Sequence, residues 1–200
     1  MDPLRHSGLP FERQRTLFLD IALADPLVDE ALRRAAALAL PDWLLVSGAL
    51  YNSVWNHLAG KPSGHGIKDI DLFYFDASDL SWEAEDDVIR RAGPVFAGLP
   101  VPVEVRNQAR VHLWYEARFG HAYPQLGNSA EALSYFASRT HAVGLRRAAD
   151  GRPELVAPFG LDAIFSFRIV PNRVLDNAAT HATKGERAKR HWPEVTVLDW

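Results

Sequence analysis

The run Lys68-Asp69-Ile70-Asp71-Leu72-Phe73-Tyr74-Phe75 sets two acids two positions apart at the head of an apolar, aromatic-rich segment that reads as a β-strand. Strand side chains alternate faces, so Asp69 and Asp71 are expected on one face, roughly 6.5 Å apart along the strand. Left unneutralised, the two carboxylates would repel. A divalent cation removes that repulsion, and hard carboxylate oxygens suit Mg²⁺. The strand is therefore a candidate metal platform. The apolar run follows the acids, whereas in haloacid-dehalogenase-type phosphatases it precedes them, which disfavours that chemistry.

Upstream, Trp43-Leu44-Leu45-Val46-Ser47-Gly48-Ala49-Leu50 reads as a short buried strand ending in a small-residue turn, and Leu50, Val54 and Leu58 continue at helical spacing. A turn that opens a helix presents free backbone N–H groups and the positive end of the helix dipole, which together suit a phosphate. Gly48 permits close approach and the Ser47 hydroxyl adds a donor. Downstream, Val101-Pro102-Val103-Glu104-Val105-Arg106 alternates as a second strand with Glu104 opposite the valines. If the two strands are neighbours, Glu104 joins Asp69 and Asp71, and three acids could hold two metal ions about 3.5–4 Å apart for in-line phosphoryl-type transfer. The polar cluster Arg106, Asn107, Gln108, Arg110 and His112 could clamp a triphosphate and read a base or sugar, or equally cap the next helix and fill a buried network.

With these features in place, the chain resembles the nucleotidyltransferase superfamily to which DNA polymerase β and the CCA-adding enzymes belong, through Ser47-Gly48, Asp69-Ile70-Asp71 and Glu104. It is also similar to a family of small bacterial nucleotidyltransferase-like proteins of unassigned function. That likeness is carried by Ser47-Gly48-Ala49, Lys68 to Asp71, Glu104 to Trp114 and Ala157 to Asp162. The turn departs from the usual Gly-Gly or Gly-Ser. The resemblance implies an Mg²⁺-dependent enzyme, with Mn²⁺ as a substitute, that moves a nucleoside monophosphate from an NTP to an unidentified acceptor. It assigns Asp69, Asp71 and Glu104 to the metals and catalysis. Ser47, Gly48, Lys68, Arg106, Asn107 and Arg110 go to the nucleotide. The rival readings are a non-catalytic nucleotide-binding regulatory module and a toxin–antitoxin-type interaction protein.

Composition narrows the partners. The 200 residues carry 22 basic and 25 acidic side chains, a net charge of −3, so no global basic excess is available to grip long nucleic acid. A small-molecule or protein acceptor is favoured over long RNA. The absence of cysteine excludes disulfides and thiolate metal sites. No apolar stretch is long enough to span a bilayer and no signal-peptide pattern is evident, so a cytoplasmic protein without membrane partners is the simplest expectation.

The pattern of elements predicts an α+β (mixed α/β) fold: a small mixed sheet flanked by helices, with helical N- and C-terminal additions. One domain is expected over residues 1–200, with its core at about 40–175, N-terminal helices within 11–38 and a basic C-terminal segment over 176–200. Asp25 is expected to cap the second helix with Pro26 at its first position, and Ser81 to cap another. Asn128 with Glu131 suggests a helix through Phe136, and His141 to Arg147 with Leu155 to Ala157 suggests a hairpin. A short helix is expected over Gly160–Phe167 and a basic one within Asp176–Arg190. The loop Lys61-Pro62-Ser63-Gly64-His65-Gly66 is a candidate flap over the site.

Overall fold

A computed structural model describes residues 2–200. Two helices lead the chain, α1 (Phe11–Ala24) and α2 (Pro26–Ala37). The second starts where its sequence dictates: Pro26 occupies the first turn, and Asp25 Oδ1 accepts from the backbone N–H groups of Leu27 and Val28 at 3.0 and 3.2 Å. There follow β1 (Leu44–Val46), α3 (Gly48–Ala59), β2 (Ile70–Tyr74), α4 (Trp82–Phe96) and β3 (Val103–Asn107). Ser81 caps α4 by accepting from Ala84 N–H at 3.2 Å. A 3₁₀ turn over Gln108–Arg110 leads into α5 (Val111–Phe119), which Gly120 ends in the left-handed conformation at φ 79°.

The second half contains β4 (Gly144–Arg147), β5 (Pro153–Val156), α6 (Asp162–Phe165), β6 (Arg168–Ile169), α7 (Ala178–His191) and β7 (Thr196–Val197). β1 to β5 form one mixed sheet in the order β3-β2-β1-β4-β5. β2 and β3 run parallel with α4 as their crossover, and the remaining neighbours are antiparallel. β6 and β7 pair separately, in parallel.

The sheet has two unlike faces because β2 alternates as its sequence does. Ile70, Leu72 and Tyr74 are buried and join Phe18 of α1, Leu32 of α2, Val54 of α3 and Phe96 of α4 in the main core. Each fully buried aliphatic or aromatic side chain there is worth about 1.5–3 kcal/mol. Asp71 and Phe73 turn to the other face, where a small cluster of Leu44, Val46, Leu133 and Ala142 is buried. That thin second face leaves room for a site.

Three local expectations are refined. The segment capped by Asn128 is a 3₁₀ helix, Ala130–Tyr135, although the reciprocal cap forms as read: Asn128 Oδ1 accepts from Glu131 N–H at 3.0 Å and Glu131 Oε2 from Gly127 N–H at 2.6 Å. The helix expected from Gly160 is the single turn α6. The loop at 61–66 is tied down rather than free. Asn56 Nδ2 donates to His65 O at 2.9 Å, Arg187 donates to Gly66 O at 3.0 Å, and Gly66 sits so close that a Cβ would fall 2.5 Å from Trp192. Trp55 belongs to the core, where it stacks on Phe167 with centroids 5.5 Å apart and donates to Ile164 O.

Candidate active site

Strand register builds the site. Val46 lies opposite Asp71 across the antiparallel β1–β2 pair, and Asp71 lies opposite Glu104 across the parallel β2–β3 pair. The adjacency assumed for the third acid is therefore present, and the turn that follows Val46 lies beside the acids. Neighbouring strands sit about 4.8 Å apart, close enough for side chains on one face to interact.

A cleft of about 440 Å³ opens over this point. The β1–α3 turn contributes Ser47, Gly48, Tyr51 and Asn52, and the β2 approach contributes Lys68, Asp69 and Asp71. β3 adds Glu104, and α5 and α7 bring Arg118, Lys184 and Arg187 to the opposite wall. Six of the residues singled out in the sequence, Ser47, Gly48, Lys68, Asp69, Asp71 and Glu104, thus share one cavity. Arg106 lies on the same sheet face but lines a neighbouring cleft, 3.8 Å from Glu104.

Asn107 and Arg110 do not line either cleft. Asn107 is buried, accepts from Asp76 and Ala109 N–H at 3.1 Å each, and donates to Asp76 O at 2.8 Å. Arg110 ion-pairs with Glu85 and donates to Leu80 O at 2.9 Å. Their polar groups are engaged in a network that fastens β3 to α4, so the structure gives them to that network and not to the cavity. Conversely, Lys184 and Arg187 belong to the basic helix expected within Asp176–Arg190, and the structure sets them in the cleft wall. Their only signal was charge spacing on α7, which cannot say what the helix faces.

The turn itself is strained. Ser47 adopts φ 58° and ψ −117°, a region suited to glycine and costing other residues about 1–3 kcal/mol. It is held there from both sides, by Ser47 N–H donating to Val143 O at 2.8 Å and by Ser47 O accepting from Leu50 and Tyr51 N–H at 2.9 and 3.1 Å. Among the described residues, the N–H group of Gly48, which lines the cavity at the start of α3, has no protein acceptor, whereas Ala49 is fully buried. Ser47→Gly is expected to stabilise the fold by about 1 kcal/mol, the relieved strain less the entropy glycine adds to the unfolded chain. A higher urea midpoint at unchanged slope would show it. A lower midpoint would mean that the Ser47 side chain makes contacts that outweigh the strain.

Electrostatics across the cleft are opposed. Burial pushes the Asp71 carboxyl up to about 6; Lys184 resists that rise, while the charges of Asp69 and Glu104 add to it. Asp69 is ion-paired to Lys68 at 3.0 Å. Among the described residues, no three His, Cys, Asp or Glu side chains converge closely enough as they stand to hold a metal ion. The donor chemistry still fits a hard cation, since three carboxylates share a partly desolvated cavity and one of them is already driven towards its neutral form. Asn52 Oδ1, in the same wall, is buried with no partner. Tyr51 stacks on buried His141 with centroids 4.8 Å apart, and burial holds that imidazole well below its ordinary pKa.

Comparisons with known proteins bear on the family and the fold. A family profile described as Nucleotidyltransferase matches residues 33–197. A solved NMR structure described as a CCA-adding enzyme head domain is similar in fold, with a TM-score of 0.72 and 24% identity over 92% of this chain and 96% of that one. No curated protein matches the chain. Among the described residues, no helix is long and apolar enough to cross a membrane.

Proposed function

The chain belongs to the nucleotidyltransferase family, and we propose that it moves a nucleoside monophosphate from an NTP to an acceptor hydroxyl, amine or phosphate with the help of Mg²⁺ or Mn²⁺. One observation carries this reading: the register Val46–Asp71–Glu104 brings the Ser47-Gly48 turn beside Asp71 and Glu104, in a cleft that Asp69, Lys184 and Arg187 also line. A polyphosphate needs donors and cations, and a reacting phosphorus needs acids able to hold cations; the cleft offers both within one cavity.

Asp69 and Asp71 would hold the divalent ions, with Glu104 completing the set, and the bound ions would supply charge neutralisation and polarise the reacting phosphoryl group. Ser47 Oγ and the Gly48 N–H bind the β- and γ-phosphates, and the α3 dipole adds to their pull. Lys184, Arg187 and Lys68 offset the triphosphate charge. The acceptor lone pair forms a bond to the α-phosphorus as the α–β bridging P–O bond breaks. Pyrophosphate leaves with that electron pair, and the acceptor proton passes to a carboxylate of the cluster, for which Glu104 is the exposed candidate, and then to water. Positioning and charge complementarity therefore carry the rate.

The reading is tested by melting the protein with each NTP, with and without Mg²⁺. A ligand of the native state at 100 times its Kd adds about 2.7 kcal/mol, a rise of roughly 5–10 °C for a chain of this size. That rise should require Mg²⁺ and disappear in Lys184→Ala/Arg187→Ala. A flat response to every NTP would remove the donor from the proposal.

A further inference from the structure

Beside the charged cleft, and sharing Ser47, Asp71 and Lys184 with it, lies a second cavity of about 270 Å³ with a different chemistry. Its walls are aromatic. Tyr115 packs on Phe119 and Tyr123 with centroids 4.5 and 4.6 Å away, and Tyr123 packs on Tyr135 at 5.3 Å. Phe73, which follows Asp71 on the open face of β2, meets Phe136 edge-on at 5.9 Å to form the floor. Phe119 is 42% exposed, and Trp114, Tyr123 and Tyr135 are half-buried, so ring surface is left facing the cavity instead of the core. Ring surface left in water is unfavourable, and a bound apolar body would cover it.

We propose that this cavity holds the acceptor, a small molecule with a flat, apolar ring whose hydroxyl or amine points at Asp71. The inference rests on the nucleotidyl-transfer reading and adds the acceptor's class. In an in-line transfer the acceptor approaches the α-phosphorus from the side opposite the leaving pyrophosphate. Gly48, Arg187 and Lys68 line the first cavity alone and place the polyphosphate there, whereas Ser47, Asp71 and Lys184 stand at the junction between the two. The aromatic cavity opens from that junction. Its size admits one ring system of one or two rings and no folded or polymeric partner, and its only cations, Arg106 and Lys184, favour a neutral or anionic occupant over a cationic one. The step is the one already balanced: the acceptor O–P or N–P bond forms, the α–β P–O bond breaks, and pyrophosphate departs.

The test uses 2-naphthol as the flat probe and glycerol as the polar control, followed by ligand-detected NMR on the full chain, with and without saturating ATP and Mg²⁺. 2-Naphthol should bind and glycerol should not. Saturating ATP should leave 2-naphthol bound. The exposed-ring variant Phe119→Leu and the wall variant Tyr123→Leu should each weaken 2-naphthol at least about fivefold, a change expected on losing stacking, while the Mg²⁺–ATP melting shift stays intact. Displacement of 2-naphthol by ATP would overturn the assignment by giving the cavity to the nucleobase. Equal binding of glycerol, or unchanged 2-naphthol binding in Phe119→Leu, would overturn the aromatic class. Loss of the ATP shift in the unaltered chain would instead strike the donor reading, so the two failures are separable.

Discussion

Asp71→Asn is expected to remove nucleotidyl transfer, by about 10³-fold or more, while making the metal-free protein more stable at neutral pH. Both effects come from one cause. Folding pushes this carboxyl from 3.8 up to about 6, first by burial and then by the neighbouring acids. The sign follows from linkage. A group whose folded pKa is raised contributes stability that is complete below its unfolded pKa, near 3.8, and that is lost as pH rises through about 6. At pH 7 the ionised Asp71 therefore burdens the native state by up to about 3 kcal/mol at 1.36 kcal/mol per unit. Asparagine carries no such burden. In chelator, the stability difference between variant and parent should grow from near zero at pH 4 to its full size by pH 7. Added Mg²⁺ should raise the parent and not the variant, closing the gap. A variant less stable than the parent at pH 7, or one with undiminished turnover, would remove Asp71 from the centre of the site.

Arg110→Ala is expected to damage the fold rather than nucleotide binding. Arg110 and Glu85 form an ion pair whose side chains are each only 10% exposed, and Glu85 Oε1 also accepts from Asn107 N–H at 2.8 Å. Truncating the arginine leaves a carboxylate buried without its partner, which typically costs about 3–5 kcal/mol. For a chain of this size that is roughly 6–20 °C in melting temperature. Replacing both members together, as Glu85→Gln/Arg110→Met, should recover much of the loss, because no uncompensated charge remains. The Mg²⁺–NTP shift, measured on the folded fraction, should survive in either variant. Loss of that shift with the melting temperature unchanged would return Arg110 to the nucleotide. Position in sequence had placed it there, next to Glu104, but β3 ends at Asn107 and the 3₁₀ turn that follows aims residue 110 at α4.

Local chemistry was legible wherever it acts over a few residues. The Asp25 and Ser81 caps, the alternation of β2 and the Ser47-Gly48 turn are all set by neighbours in the chain, through hydrogen bonds and side-chain period that need no distant partner. Other features were not legible for the same reason. Ser47 was read as a phosphate donor with no hint of its positive φ, a conformation held in part by the distant Val143 carbonyl, just before β4. The pairing of β6 with β7 joins segments of two residues each, too short to show a period.

A small-residue turn opening a helix, an acid pair at the head of one strand and a third acid on another can all be read from the chain alone, because periodicity and residue chemistry are local properties. That these three share one cavity, that α7 brings Lys184 and Arg187 to it, and that an aromatic cavity adjoins Asp71 follows from the packed fold. Those facts depend on strand register and helix packing. Both are fixed by the burial of apolar side chains far apart in the chain, a cooperative outcome that no single stretch of residues encodes.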